Sequence, residues 1–143
     1  MASWLILTYT LPTEPSALRV GIWRKLKRAG ALLHQDALWI LPTNPRSREQ
    51  FQWLAAEIAE LGGQVSFWEA RLVMGIDEET LIHQFQEQVD EGYQSLLEQV
   101  EKGADDIETI ARQYQQWLSK DYFHSETGKR LRQKLLEARG DQA

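Results

Sequence analysis

The sequence contains no cysteine. That excludes disulfides, thiolate nucleophiles, iron–sulfur clusters and cysteine-ligated zinc, and it fits a reducing cytoplasm. No apolar run approaches the roughly 20 residues needed to cross a bilayer, so no membrane association is expected. Met1-Ala2-Ser3-Trp4 carries no basic region ahead of the apolar run Trp4–Leu7, which therefore does not read as a signal peptide. There is no glycine-rich phosphate loop and no serine elbow. The histidines, His34, His83 and His124, fall in three separate elements. His83 and Glu87 have the i, i+4 spacing of a metal pair, but such a pair is common on any exposed helix. No catalytic residues, no metal site and no cofactor are expected.

What is present is an ordinary globular composition: 143 residues, 43% hydrophobic and 26% charged, with a net charge of −5. A chain of this length buries roughly 68–70% of its unfolded surface, enough for a core without covalent staples. The charge is unevenly divided. Residues 1–76 hold eight Lys/Arg against six Asp/Glu, a net of +2, and residues 77–143 hold eight against fifteen, a net of −7. Two structural units with different surfaces are expected, an α+β domain at 1–75 and a helical segment at 76–143.

The order of elements follows from hydrophobic period. Trp4–Tyr9 is a short β-branched and aromatic run that reads as a strand ended by Leu11-Pro12. Leu18, Ile22, Leu26 and Ala29 form one helical stripe within Ser16–Ala29, and Gly30 stops it. Ala31–Leu33 and Leu38–Leu41 read as two strands around the polar turn His34-Gln35-Asp36. Asn44-Pro45 starts a second helix with Phe51, Leu54, Ala55, Ile58 and Leu61 on its apolar side. Gly62-Gly63 ends it, and a last strand runs from Val65 to about Val73. Strand, helix, strand, strand, helix, strand is the ferredoxin-like βαββαβ order, a four-stranded antiparallel sheet with helices on one face. Trp4, Trp39 and Trp68 are expected on the other face, which needs a cover. The segment after Asp77 is all helix, in three pieces broken near Gly103 and Ser125, and is expected to cover that face within the chain or from a partner subunit.

The first helix is the basic element. Arg24 and Arg28 are four apart and share a flank, with Lys27 on the solvated back. They read either as a phosphate-contacting patch or as a solvated face whose cations favour the helix C-terminus. Arg19 falls at the edge of the apolar stripe, four residues before Trp23. It reads as a cation over that indole, and either as an anion site near the Pro12–Ser16 loop or as a clamp on the loop's carbonyls. The acidic runs Asp77-Glu78-Glu79 and Asp90-Glu91 read as helix-dipole partners and solvated faces rather than as paired acid–base carboxylates.

Trp4-Leu5-Ile6-Leu7, Leu11-Pro12-Thr13-Glu14-Pro15-Ser16-Ala17-Leu18-Arg19-Val20 and Trp23-Arg24-Lys25-Leu26-Lys27 resemble the opening of the N-terminal domain of ChrB-type chromate-resistance regulators. Leu38–Pro42 and Glu57–Gly63 continue in register. Lys120-Asp121-Tyr122-Phe123 resembles the Arg-Asp-Phe-Phe stretch that closes that domain. The same start resembles the middle domain of PaaX-type repressors and, more loosely, the small CRISPR-associated spacer-acquisition nucleases. Those nucleases place an acidic residue at the end of the first strand. Here that stretch is Thr8-Tyr9-Thr10, so metal-dependent cleavage is not expected. ChrB-type regulators continue into a second domain that responds to chromate, and this sequence is expected to stop short of it. The resemblance thus implies a cytoplasmic, transcription-linked module, with Arg24, Lys27 and Arg28 as candidates for contacting DNA and Arg19 as the anion or loop residue. The alternative is a protein-interaction or dimerisation module, a homodimer or one half of a protein pair, without DNA affinity.

Overall fold

The computed structural model describes residues 3–140. The fold is α+β, with four strands and five helices among the described residues, in two compact units, Met1–Glu78 and Glu79–Ala143. Among the described residues, no helix is long and apolar enough to cross a membrane.

In the first unit the order is β1 (Trp4–Thr10), α1 (Ser16–Ala29), β2 (Leu32–His34), β3 (Leu38–Pro42), α2 (Pro45–Glu60) and β4 (Gln64–Ala70). The strands form one antiparallel sheet in the order β2-β3-β1-β4. Local chemistry sets the boundaries. Gly30 takes φ 83°, and its N–H bonds back to the carbonyls of Leu26 and Lys27, a helix stop that the missing Cβ makes cheap. Gln35 and Asp36 both have positive φ, the pattern of a two-residue hairpin turn, and Ala37 N–H bonds the His34 carbonyl at 3.2 Å. Asn44 caps α2, its Oδ1 accepting from Ser47 N–H at 2.8 Å with Pro45 in the first turn. Gly63 is required for a different reason. A Cβ there would lie 2.4 Å from the Thr10 carbonyl oxygen, so only glycine lets α2 turn closely into β4 at the end of β1.

Leu5, Leu7, Leu41, Ile22, Leu26, Phe51 and Ile58 are buried in this unit's core. Phe51 of α2 meets Phe67 of β4 edge-to-face at 5.8 Å, which fixes the helix-covered face as the one carrying Leu5, Leu7 and Phe67. Trp39 belongs to that face, contrary to the sequence expectation, because the register sets it opposite Leu7. The other face carries Trp4, Ile6, Ile40 and Trp68. Trp4 and Ile40 are buried, whereas Trp68 is 60% exposed. β4 also ends earlier than its apolar pattern suggests. It stops at Ala70, level with Trp4 at the start of β1, so residues beyond it have no strand to pair with.

The second unit consists of α3 (Glu78–Glu101), α4 (Ile107–Leu118) and α5 (Glu126–Gly140). Its core is Val89, Tyr93, Leu96, Leu97, Ile110, Tyr114, Leu131 and Leu135. Asp106 caps α4 by accepting from Thr109 N–H at 3.1 Å.

Candidate functional site

A groove of 1080 Å³ lies between α1, the end of β1 and the β2–β3 hairpin. Arg19, Trp23 and Arg24 come from α1, Tyr9 from β1, and Asp36 and Trp39 from the hairpin. The helix supplies its side chains through period: residues 19, 20, 23 and 24 form one flank beside the buried stripe of Ile22, Leu26 and Ala29. That flank is partly apolar, since Val20 is 45% and Trp23 48% exposed.

At the floor, Tyr9 and Trp39 stand side by side on the helix-covered face, and their side chains are hydrogen-bonded, with the indole N–H as donor to the phenol oxygen. Burial pushes the Tyr9 phenol above its ordinary pKa, against the opposing influence of the Trp39 hydrogen bond and the Arg19 charge. The floor is therefore neutral at physiological pH, and the charges are Arg19 and Arg24 against Asp36, a net of +1. One measurable consequence follows. In an alkaline ultraviolet titration Tyr9 ionises later than free tyrosine, and Arg19→Ala delays it further, because the guanidinium is the charge that favours the phenolate. An unchanged or lowered Tyr9 midpoint in Arg19→Ala would contradict this geometry.

The residues expected from sequence are only partly gathered. Arg19 and Arg24 line the same groove. Lys27 stands over the Trp23 ring, 5.6 Å from its centroid, in the cation–π position expected of Arg19. Both flank Trp23 at i±4, and it is the last-turn lysine that folds over the ring. Arg28 is exposed in that same last turn, outside the groove. Lys25 is committed elsewhere, to Glu57 of α2 at 2.6 Å. Tyr9, Asp36 and Trp39 were missed as groove residues. Their signal was the register, since pairing Trp39 with Leu7 brings Trp39 beside Tyr9.

The Lys120–Phe123 stretch has a different setting. Asp121 accepts from the Tyr93 hydroxyl at 3.0 Å, and both its oxygens lie 3.1 Å from Ser125 N–H. Ser125 is buried; its hydroxyl donates to Asp90 and accepts from Gly128 N–H at 3.2 Å, capping α5. Burial, followed by the negative charge of Asp121 and its hydrogen bond, holds the Tyr93 phenol far above its ordinary pKa. A raised folded pKa favours the neutral donor, so this network contributes fully below about pH 10 and declines above it. Among the described residues, no group of three or more His, Asp or Glu is placed to hold a metal ion.

Comparison with known proteins decides the family. The model of the N-terminal region of protein ChrB matches residues 19–139. The chain belongs to the ChrB N-terminal family. The match runs from the first turn of α1 to the last turn of α5, and so includes Arg19, Arg24, Lys27, Arg28 and Asp121. Protein ChrB of Cupriavidus metallidurans is 38% identical over 63 residues, which are 44% of this chain and 19% of that protein. The ChrB N-terminal domain described here thus aligns with about a fifth of that relative's length. No solved structure matches the chain.

Proposed function

We propose that this ChrB N-terminal domain is a cytoplasmic, non-enzymatic regulatory module linked to chromate resistance, which contacts DNA phosphates through α1. Its first unit is a ferredoxin-like βαββαβ domain, and the three helices that follow carry the acidic surface. The observation that carries the reading is the state of the α1 cations. Lys25 is neutralised by Glu57, but Arg24, Lys27 and Arg28 are exposed and form no ion pair among the described residues. Unpaired guanidinium groups on one helix suit a phosphate backbone, because each contact releases condensed counterions. Arg24 and Arg28 lie one turn apart and project together, so they reach neighbouring phosphates. The net +2 of residues 1–76 favours that contact locally in a chain of net charge −5.

Such contacts position a protein on DNA without reading sequence. Affinity for unrelated duplexes is therefore expected to be similar. With two to three phosphate contacts, the slope of log K against log salt is roughly −2 to −3. Electrophoretic shift of a random duplex at two salt concentrations checks this. A clear shift at low salt that fades at higher salt supports the reading.

The net −7 of residues 77–143 favours a second reading, a protein-interaction or dimerisation module. In that case no duplex is shifted even at low salt.

A further inference from the structure

The groove on α1 has features that backbone-phosphate contact does not use. Its walls mix aromatic and apolar side chains with Thr8, Thr10, Thr13 and Ser16, and Trp23 and Val20 are left about half exposed beside it. Its floor is the neutral Tyr9–Trp39 pair. Its rim carries two guanidinium groups against one carboxylate, and neither Arg19 nor Arg24 is in an ion pair among the described residues. A volume of 1080 Å³ lies just above the usual range of small-molecule sites and leaves room for a ring and its anionic group. Aromatic rings and planar, fork-shaped guanidinium groups lining one groove complement one kind of guest: a planar ring bearing a phosphate or carboxylate.

We propose that this groove is an effector site for a small organic anion built on a flat ring, with Trp23 contacting the ring and Arg19 and Arg24 holding the anionic group. A bound anion would occupy Arg24, one of the α1 cations assigned to DNA, so site and surface share a residue. The site itself stands whether or not α1 meets DNA.

The test is calorimetric titration of the full chain with four probes: adenosine 5′-monophosphate, 1-naphthoate, inorganic phosphate and adenosine. The first two distinguish a nucleotide from an aryl carboxylate, and the last two are the separate halves of the first. Binding of either ring-bearing anion is expected with a Kd on the order of 10–100 µM, and tighter than either half. Trp23→Ala should weaken it about tenfold or more, the usual size of an aromatic stacking contact. Arg19→Gln should weaken the ring-bearing anions and leave adenosine unaffected. Both residues are exposed, and circular dichroism confirms that the variants fold. In spectra of the indole N–H groups, Trp23 and Trp39 should move and Trp53 should not. No binding of either anion at millimolar concentration overturns the proposal. So does binding that survives both substitutions, or phosphate or adenosine binding as tightly as the monophosphate.

Discussion

Replacing Asp121 with Ala lowers the stability of the helical unit by about 2–4 kcal/mol, the sum of two separate losses. The first is the acceptor of Tyr93. That ring is fully buried, and its hydroxyl donates to Asp121 at 3.0 Å. Without the carboxylate, the phenol is a buried donor with its partner removed, which costs about 1–3 kcal/mol. The second is the anchor of Ser125, whose N–H lies 3.1 Å from both Asp121 oxygens and whose side chain caps α5. Losing that hydrogen bond typically costs about 1 kcal/mol. Asp121→Asn keeps an acceptor oxygen and should lose less than the Ala variant. Chemical denaturation followed by circular dichroism measures both. A loss below about 0.5 kcal/mol in Asp121→Ala, the size of an ordinary surface substitution, would contradict the role given to this residue. DNA affinity per folded molecule should not change, because Asp121 here braces the helices.

Gly128→Ala should also destabilise, although alanine is the better helix former by about 1 kcal/mol. The added Cβ would lie 2.5 Å from the Tyr93 ring. Tyr93 is enclosed by the core and tied to Asp121, so it has no room to yield. Overpacking of this kind costs about 1–3 kcal/mol. A net loss of up to about 2 kcal/mol is expected after the gain in helix propensity. In a Tyr93→Leu background the clashing ring is gone, and Gly128→Ala should become neutral or stabilising. Equal cost in both backgrounds would mean that the ring contact is not the cause.

The elements whose limits depend on neighbouring residues were legible in the sequence. Ser16 to Ala29 is a helix closed by Gly30, and Asn44-Pro45 opens the next one, because caps and stops act within a turn of the chain. Features set by pairing were not. The face of Trp39 depends on which residue of β1 it meets, and a shift of one position reverses it. That single fact separates a tryptophan on the open face from one on the groove floor. Asp121 was visible as part of a family resemblance, but its partner Tyr93 lies 28 positions away, on another helix. Arg19 was correctly set at the edge of the stripe. Its place over Trp23 was taken by Lys27, since both are one turn from the ring and spacing does not choose between them.

The central claim, that exposed cations of α1 meet a phosphate backbone, is tested most directly by fluorescence anisotropy of a labelled duplex across a salt series. Wild type is compared with the Arg24→Ala/Arg28→Ala double variant. Both side chains are exposed and off the buried stripe, so the variant should unfold at the wild-type temperature. The account predicts that its affinity falls by a similar factor on every duplex sequence. Its log–log salt slope should flatten by up to about one unit for each lost contact. A wild-type protein with no salt-sensitive affinity for DNA at low ionic strength, or a double variant with the wild-type slope, would contradict it.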